Sequence, residues 1–239
     1  MLIDAKGLGY EAINNKIREN GAACEIIRVL GQRFIAAGMN GKTIHIVGTP
    51  GNALGAYLNG AEITVHGNAQ DAVGDTMNDG KITVHGNIGD AAGYAMRGGK
   101  MFVLGNAGYR AGIHMKAYKE KQPVLIVGGR CGSFLGEYQA GGLIIVLGLN
   151  KDGKDIVSNY PCTGMHGGKM FLRSDCRKVR FPANVSAKEA TAEDIAEIEP
   201  HIAEFCETFE LSKEEILSSR FTLVTPNSKN PYKQMYASN

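Results

Sequence analysis

The sequence predicts an all-β protein: a single-stranded, right-handed parallel β-helix of about seven rungs, followed by a helical segment and an extended tail. Three observations carry this. Glycine makes up 32 of 239 residues, about twice the usual share. Gly48, Gly67, Gly86 and Gly105 stand 19 residues apart each time. The residues two and four before each of them are apolar, the alternation of a strand with one face inward.

The strand-ending glycines are Gly31, Gly48, Gly67, Gly86, Gly105, Gly129 and Gly148. The inward pairs before them run from Ile27/Val29 and Ile44/Ile46 to Leu125/Val127 and Ile144/Val146. A second glycine follows seven residues after the first, at Gly38, Gly55, Gly74, Gly93, Gly112 and Gly136. The last rung departs from this because Lys151–Tyr160 reads as an insertion before Gly164. Leu58, Met77, Met96 and Met115 form a further inward column, where unbranched methionine fills an irregular interior. No rung buries its inner face alone, so neighbours must stack at ~4.8 Å per rung into a prism on the order of 35 Å long. A leucine-rich repeat has a similar period, but its asparagine framework and its helix per unit are missing.

Outward strand positions change along the stack. Early ones are polar (Arg28, His45, Thr64, His66, Thr83, His85), and later ones are apolar (Phe102, Leu104, Ile126, Ile145, Leu147). Strands apolar on both faces are covered on both, here by the C-terminal segment or by a partner. Residues 1–180 read as the glycine-repeat domain, with residues 1–20 as a cap. Residues 181–239 read as an extension packing on the β-helix or on a partner. Within it, Ser186-x-x-Glu189 and Ser212-x-x-Glu215 have the pattern of capping boxes. Ile195, Ile198, Ile202, Phe205 and Phe209 share one helical face, interrupted near Pro200. The stretch from Thr222 to Asn239 reads as a strap or a partner-binding arm.

A net charge of +2 and 21% charged residues argue against nucleic acid or a membrane surface as partner. No apolar run approaches the ~20 residues of a spanning helix. The start of the chain lacks the layout of a signal peptide, and the expected location is cytoplasmic. Five cysteines without a Cys-x-x-Cys pair give no disulfide, zinc or iron–sulfur pattern.

Several local motifs compete with the repeat. Ala36–Thr43 nearly matches a phosphate-binding loop, but the first required glycine is Ala36 and the repeat already accounts for Gly38 and Gly41. His66 and His85 occupy equivalent outward positions with His45 nearby; zinc normally wants three or four ligands, and no carboxylate or cysteine shares that column. Asp71, Asp75 and Asp90 recur at corners, where aspartate favours turns. The densest polar clusters hold Arg110, His114 and Lys116, then Glu137 and Tyr138. They read either as a partner surface or as decoration of a longer rung, and we take these five residues as candidate partner contacts. No catalytic, cofactor-binding or metal-ligating residue is assigned.

The run Gly129-Arg130-Cys131-Gly132-Ser133-Phe134-Leu135-Gly136-Glu137-Tyr138, then Gly141-Gly142 and Gly164-Met165-His166-Gly167-Gly168, resembles the glycine-repeat (GXGXG) C-terminal domain of the glutamate synthase large subunit. Gln70-Asp71 with Gly74-Asp75, Gly112–Lys116, and Pro226–Tyr232 narrow the resemblance to the stand-alone "domain 3" form. The glycine-repeat subunit of formylmethanofuran dehydrogenase is similar. The resemblance implies a structural role in glutamate biosynthesis. In that family a cysteine amidotransferase hydrolyses glutamine, and a barrel with FMN and an iron–sulfur cluster turns 2-oxoglutarate into glutamate. The β-helix domain holds these units together. Neither catalytic domain is in this chain, so no activity is expected from it alone, and the FMN and iron–sulfur cluster belong to a partner. The expectation is therefore a non-catalytic scaffold linking the amidotransferase and FMN units, with self-association left open. Two alternatives stand beside it: a formylmethanofuran dehydrogenase-type scaffold, and an independent metal-binding protein or enzyme using His66/His85 or Arg110/His114.

Overall fold

A computed structural model describes residues 1–150 and 153–227. The chain forms strand β1 (Leu2–Asp4), helix α1 (Tyr10–Glu19) and then eight stacked strands. These are β2 (Ala23–Leu30), β3 (Thr43–Thr49), β4 (Asn59–Val65), β5 (Asp79–Val84), β6 (Lys100–Val103), β7 (Val124–Val127), β8 (Ala140–Val146) and β9 (Gly167–Leu172). The C-terminal part adds β10 (Val185–Glu189), α2 (Ala192–Phe209), α3 (Lys213–Leu217) and β11 (Thr222–Pro226). Among the described residues the eleven strands form one sheet in the order β1 to β9, then β11, then β10. Pairing is parallel from β1 to β9, a β-solenoid of about eight turns. The extra turn over the sequence expectation is β9, whose strand is not closed by a repeat glycine.

Two inner columns run the length of the stack. Ile44, Ile63, Ile82, Met101, Leu125, Ile144 and Met170 are in register, and so are Ile46, Val65, Val84, Val103, Val127, Val146 and Leu172. All are essentially inaccessible to solvent, and each such burial contributes ~1.5–3 kcal/mol. The column Leu58, Met77, Met96 and Met115 lies in the same core.

The first turn departs from the expected register. Ile26 pairs with Ile46 but Val29 pairs with Gly48, so β2 carries one extra residue there. The bulge sits at Arg28, which has φ +58°. Ile26, not Ile27, therefore points inward, and Gly31 falls past the glycine column. A bulged residue leaves the pleat, so every side chain before it switches face.

Both ends are closed. Ile13 and Ile17 of α1 seal the interior at one end. Buried Asn14 on that helix donates to the Phe34 carbonyl and accepts from the Ala36 N–H, each at 2.8 Å. At the other end β11 pairs antiparallel with both β9 and β10 and ends the parallel stack. The described part of the tail is thus a strap to Asn227, and the motif beyond it lies outside the described residues.

A second apolar core lies outside the solenoid. Phe102, Ile126, Ile145, Leu147 and Phe171 pack against Ile198, Ile202, Phe205 and Phe209 of α2. The apolar outer face of the later turns is covered by the chain's own C-terminal segment. Helix α2 runs unbroken through Pro200, at the cost of one hydrogen bond to Ala196. Its capping box is Thr191 with Asp194; Ser186 lies in β10 and caps nothing. Ser212 does cap α3, accepting from the Glu215 N–H at 3.1 Å. Glu204 binds Lys81 at 2.9 Å and also Lys100, tying α2 to β5 and β6.

Candidate functional site

Opposite the sheet each turn closes through a five-residue corner with three left-handed residues at alternate positions. The corners are 34–38, 53–57, 72–76, 91–95, 110–114, 134–138 and 160–164. The middle position is Ala36, Gly55, Gly74, Gly93, Gly112, Gly136 and Cys162. Gly38 and Gly164 hold the third position instead, which corrects the register expected for both. The middle residue faces the core. A Cβ on Gly74 would meet Met101 Cε at 2.3 Å, and one on Gly112 would meet Ile144 Cδ1 at 2.5 Å.

Apart from buried Ala53, the flanking positions are at least partly open to solvent, and most are not glycine. Arg110, Phe134 and Tyr160 hold the first, at φ +57°, +64° and +58°. His114 and Tyr138 hold the third, at φ +54° and +52°. A left-handed L-residue costs roughly 1–2 kcal/mol. Left-handed non-glycine residues hold such positions in every corner, among them Ala53, Ala72, Thr76, Ala91 and Ala95, so the conformation belongs to the repeat and only the side chains differ.

These residues stack from turn to turn. The Arg110 guanidinium lies 5.3 Å over the Phe134 ring, and Phe134 stacks on Tyr160 at 5.3 Å between centroids. His114 lies on Tyr138 at 5.1 Å, with Tyr94 edge-on at 5.9 Å. Arg110 Nε donates to Glu137 Oε2 at 3.2 Å, and the Glu137 side chain is largely covered. The fold therefore joins Arg110 to Glu137 and His114 to Tyr138 on one face. Lys116 is exposed two residues past the corner, and its N–H donates to the Met96 carbonyl at 3.0 Å. Phe134, Tyr160 and Tyr94 complete the surface without standing out in the sequence. For Phe134 and Tyr160 the signal is recurrence at the first corner position, hidden by the uneven lengths of the later turns; Tyr94 has no such signal.

The other motifs resolve differently. Asp71 Oδ1 accepts from the Asp90 N–H at 2.9 Å, and Asp90 Oδ1 accepts from the Tyr109 N–H at 2.8 Å. Asp75 accepts from the Thr76 hydroxyl at 2.8 Å. The Asp71 and Asp90 carboxylates tie turns together. His66 stacks on His85 at 5.2 Å and on His45 at 5.7 Å. His45 is in register with Thr64 and Thr83, so it reaches His66 diagonally. Phe209 of α2 meets His85 edge-on at 5.1 Å. Burial lowers the His85 pKa, and the neighbouring His66 lowers it further. Among the described residues no three His, Cys, Asp or Glu side chains come together as metal ligands. All five cysteines are buried free thiols; burial pushes Cys162 up to about 12, so it stays a protonated thiol. Residues 36–43 are a left-handed corner leading into a strand, without the helix a phosphate loop requires. No helix among the described residues is long and apolar enough to cross a membrane.

Comparison with known proteins agrees with this architecture. The family model described as GXGXG motif matches residues 8–227. An uncharacterised protein of Methanocaldococcus jannaschii is 46% identical over 250 aligned residues, covering 99% of this chain and 96% of that protein. With a glycine-punctuated solenoid throughout and a match across almost its whole length, the chain belongs to the GXGXG motif family.

Proposed function

We propose that this chain is a non-catalytic scaffold subunit of a multi-subunit glutamate synthase, joining a glutamine amidotransferase unit to an FMN-containing synthase unit. The family match supports the glutamate synthase relationship. The observation that carries the scaffold reading is the stacked face of three consecutive corners, with Arg110, His114, Tyr138 and Tyr160 exposed and Phe134 half-buried between them. Rigid aromatic side chains and arginine dominate the binding energy of protein interfaces. They lose little side-chain freedom when covered, because turn-to-turn stacking already orders them. In this reading FMN and an iron–sulfur cluster reside in the partner, and glutamate forms there.

Co-expression of the full chain with separately encoded amidotransferase and FMN subunits tests the proposal. Both subunits should co-purify with the wild-type chain, and glutamine-dependent glutamate formation should appear only in the assembly. Failure to retain either subunit would sink it.

A further inference from the structure

We infer that two copies of this chain associate edge to edge through β10, so that the sheet of one continues antiparallel into the sheet of the other. Strand β10 is the last in the sheet order, paired on one side with β11 and, among the described residues, with no strand on the other. Ser186, Ala187, Lys188 and Glu189 are all exposed.

The bonds to β11 decide which backbone groups remain. The Ala190 N–H donates to the Phe221 carbonyl, and the Asn227 N–H to the Asn184 carbonyl, each at 2.9 Å. Between them the register is unbroken, with Lys188 opposite Leu223 and Ser186 opposite Thr225. Bonded pairs alternate along an antiparallel ladder. Ser186 and Lys188 therefore turn their N–H and C=O groups to β11, while Ala187 and Glu189 turn theirs to the free edge. The Val185 N–H confirms the alternation, since it donates away from β11, to the Pro182 carbonyl at 3.3 Å. Among the described residues the backbone groups of Ala187 and Glu189 have no hydrogen-bond partner.

Proteins ordinarily blunt such an edge with a proline, a bulge, a very short strand or an unpaired charge. Strand β10 has five residues, without a proline or a shift of register. Its two charges are held within the chain: Lys188 lies 3.9 Å from Asp194, and Glu189 pairs with Arg220. At the opposite end of the sheet β1 has only three residues.

A second copy fits this edge in one register. A two-fold axis at Ala187 sets Ala187 opposite the partner's Ala187, Ser186 opposite the partner's Lys188, and Val185 opposite the partner's Glu189. The Ala187 and Glu189 N–H groups then meet the carbonyls of the partner's Ala187 and the partner's Val185, and no like charges face each other. Moving the axis to Lys188 turns the bonding groups away from each other and opposes two lysines. Moving it to Glu189 opposes two carboxylates and shortens the overlap. The inference uses no residue of the corner face and does not rest on the scaffold reading.

Sedimentation velocity of the full chain tests it. A reversible dimer should form between about 1 and 300 µM, as befits a contact smaller than a standard interface. Ala187→Pro removes an outward N–H and no bond to β11, and should raise the dimer Kd by about tenfold or more. Ser186→Lys, which opposes lysines across the axis, should raise it about threefold, and Ser186→Glu should lower it about threefold. Ser186 is exposed, so melting curves like that of the wild type will show that these two variants fold. Amide exchange at Ala187 and Glu189 should slow as the protein concentration rises. A monomer at every concentration, or a dimer indifferent to both Ser186 variants, overturns the inference. So does exchange at Ala187 and Glu189 that is slow at every concentration, which would mean that the chain covers its own edge.

Discussion

The imidazole of His114 lies flat on the phenol ring of Tyr138, with centroids 5.1 Å apart and planes 10° apart. Both residues sit at the third left-handed position of consecutive corners. Each holds its place at the cost of backbone strain, of roughly 1–2 kcal/mol. If these side chains serve the proposed partner contact, stability and function are opposed at these positions.

Tyr138→Gly separates the two. Glycine fits φ +52° without strain, so chemical denaturation should find the variant within about 1 kcal/mol of wild type or above it. Loss of the exposed ring should weaken capture of a partner protein by about tenfold or more. A variant that unfolds easily would place Tyr138 in the core of the fold.

The middle position of the same corner behaves in the opposite way. Gly112 combines φ +68° with a core neighbour, Ile144 Cδ1, 2.5 Å from where a Cβ would lie. Gly112→Ala should destabilise by about 2–4 kcal/mol, from left-handed strain and overpacking together. Ala95→Gly, at an outward left-handed position with φ +50°, should be neutral or slightly stabilising. Urea titration of the two variants measures both effects.

The outer core makes a separate claim on stability. Phe205 is fully buried and meets Phe102 at 5.6 Å and Phe209 at 4.7 Å. Phe205→Ala should cost about 3–5 kcal/mol and increase binding of a hydrophobic dye such as ANS. An unchanged dye signal would mean that α2 is not what covers the later turns.

The Glu204 contact predicts an acid dependence. Burial raises the Glu204 pKa, but hydrogen bonds and charge from Lys100 and Lys81 outweigh it, and the net shift is downward. A carboxylate with a lowered folded-state pKa contributes stability that is present above its unfolded value, about 4.3, and is lost as pH falls through the folded one. The melting temperatures of wild type and Glu204→Gln should differ at pH 7 and converge in acid below about pH 4. A constant gap across that range would contradict the assignment.

Much of this fold is legible in the residues. The inner columns obey strict alternation, so Ile44 and Ile63 reveal their positions without any tertiary information. The apolar outer positions, Phe102 and Ile145, likewise reveal that something covers them. Insertions are harder, because one bulged residue at Arg28 shifts what precedes it and disguises Gly31 as a repeat glycine. Capping is harder too: Ser186 has the pattern but pairs in a strand, and Thr191 forms the box with Asp194 instead. At the corner, Arg110, His114, Glu137 and Tyr138 are visible as polar groups. Phe134 and Tyr160 are not, since their stacking depends on which left-handed column each occupies.

Hydrogen exchange on the full chain, alone and after addition of the amidotransferase and FMN subunits, tests the central claim most directly. The account predicts new protection concentrated at residues 110–116 and 134–138, with the inner strands already protected in both states. Protection confined to other surfaces, or no change on adding either subunit, would contradict it.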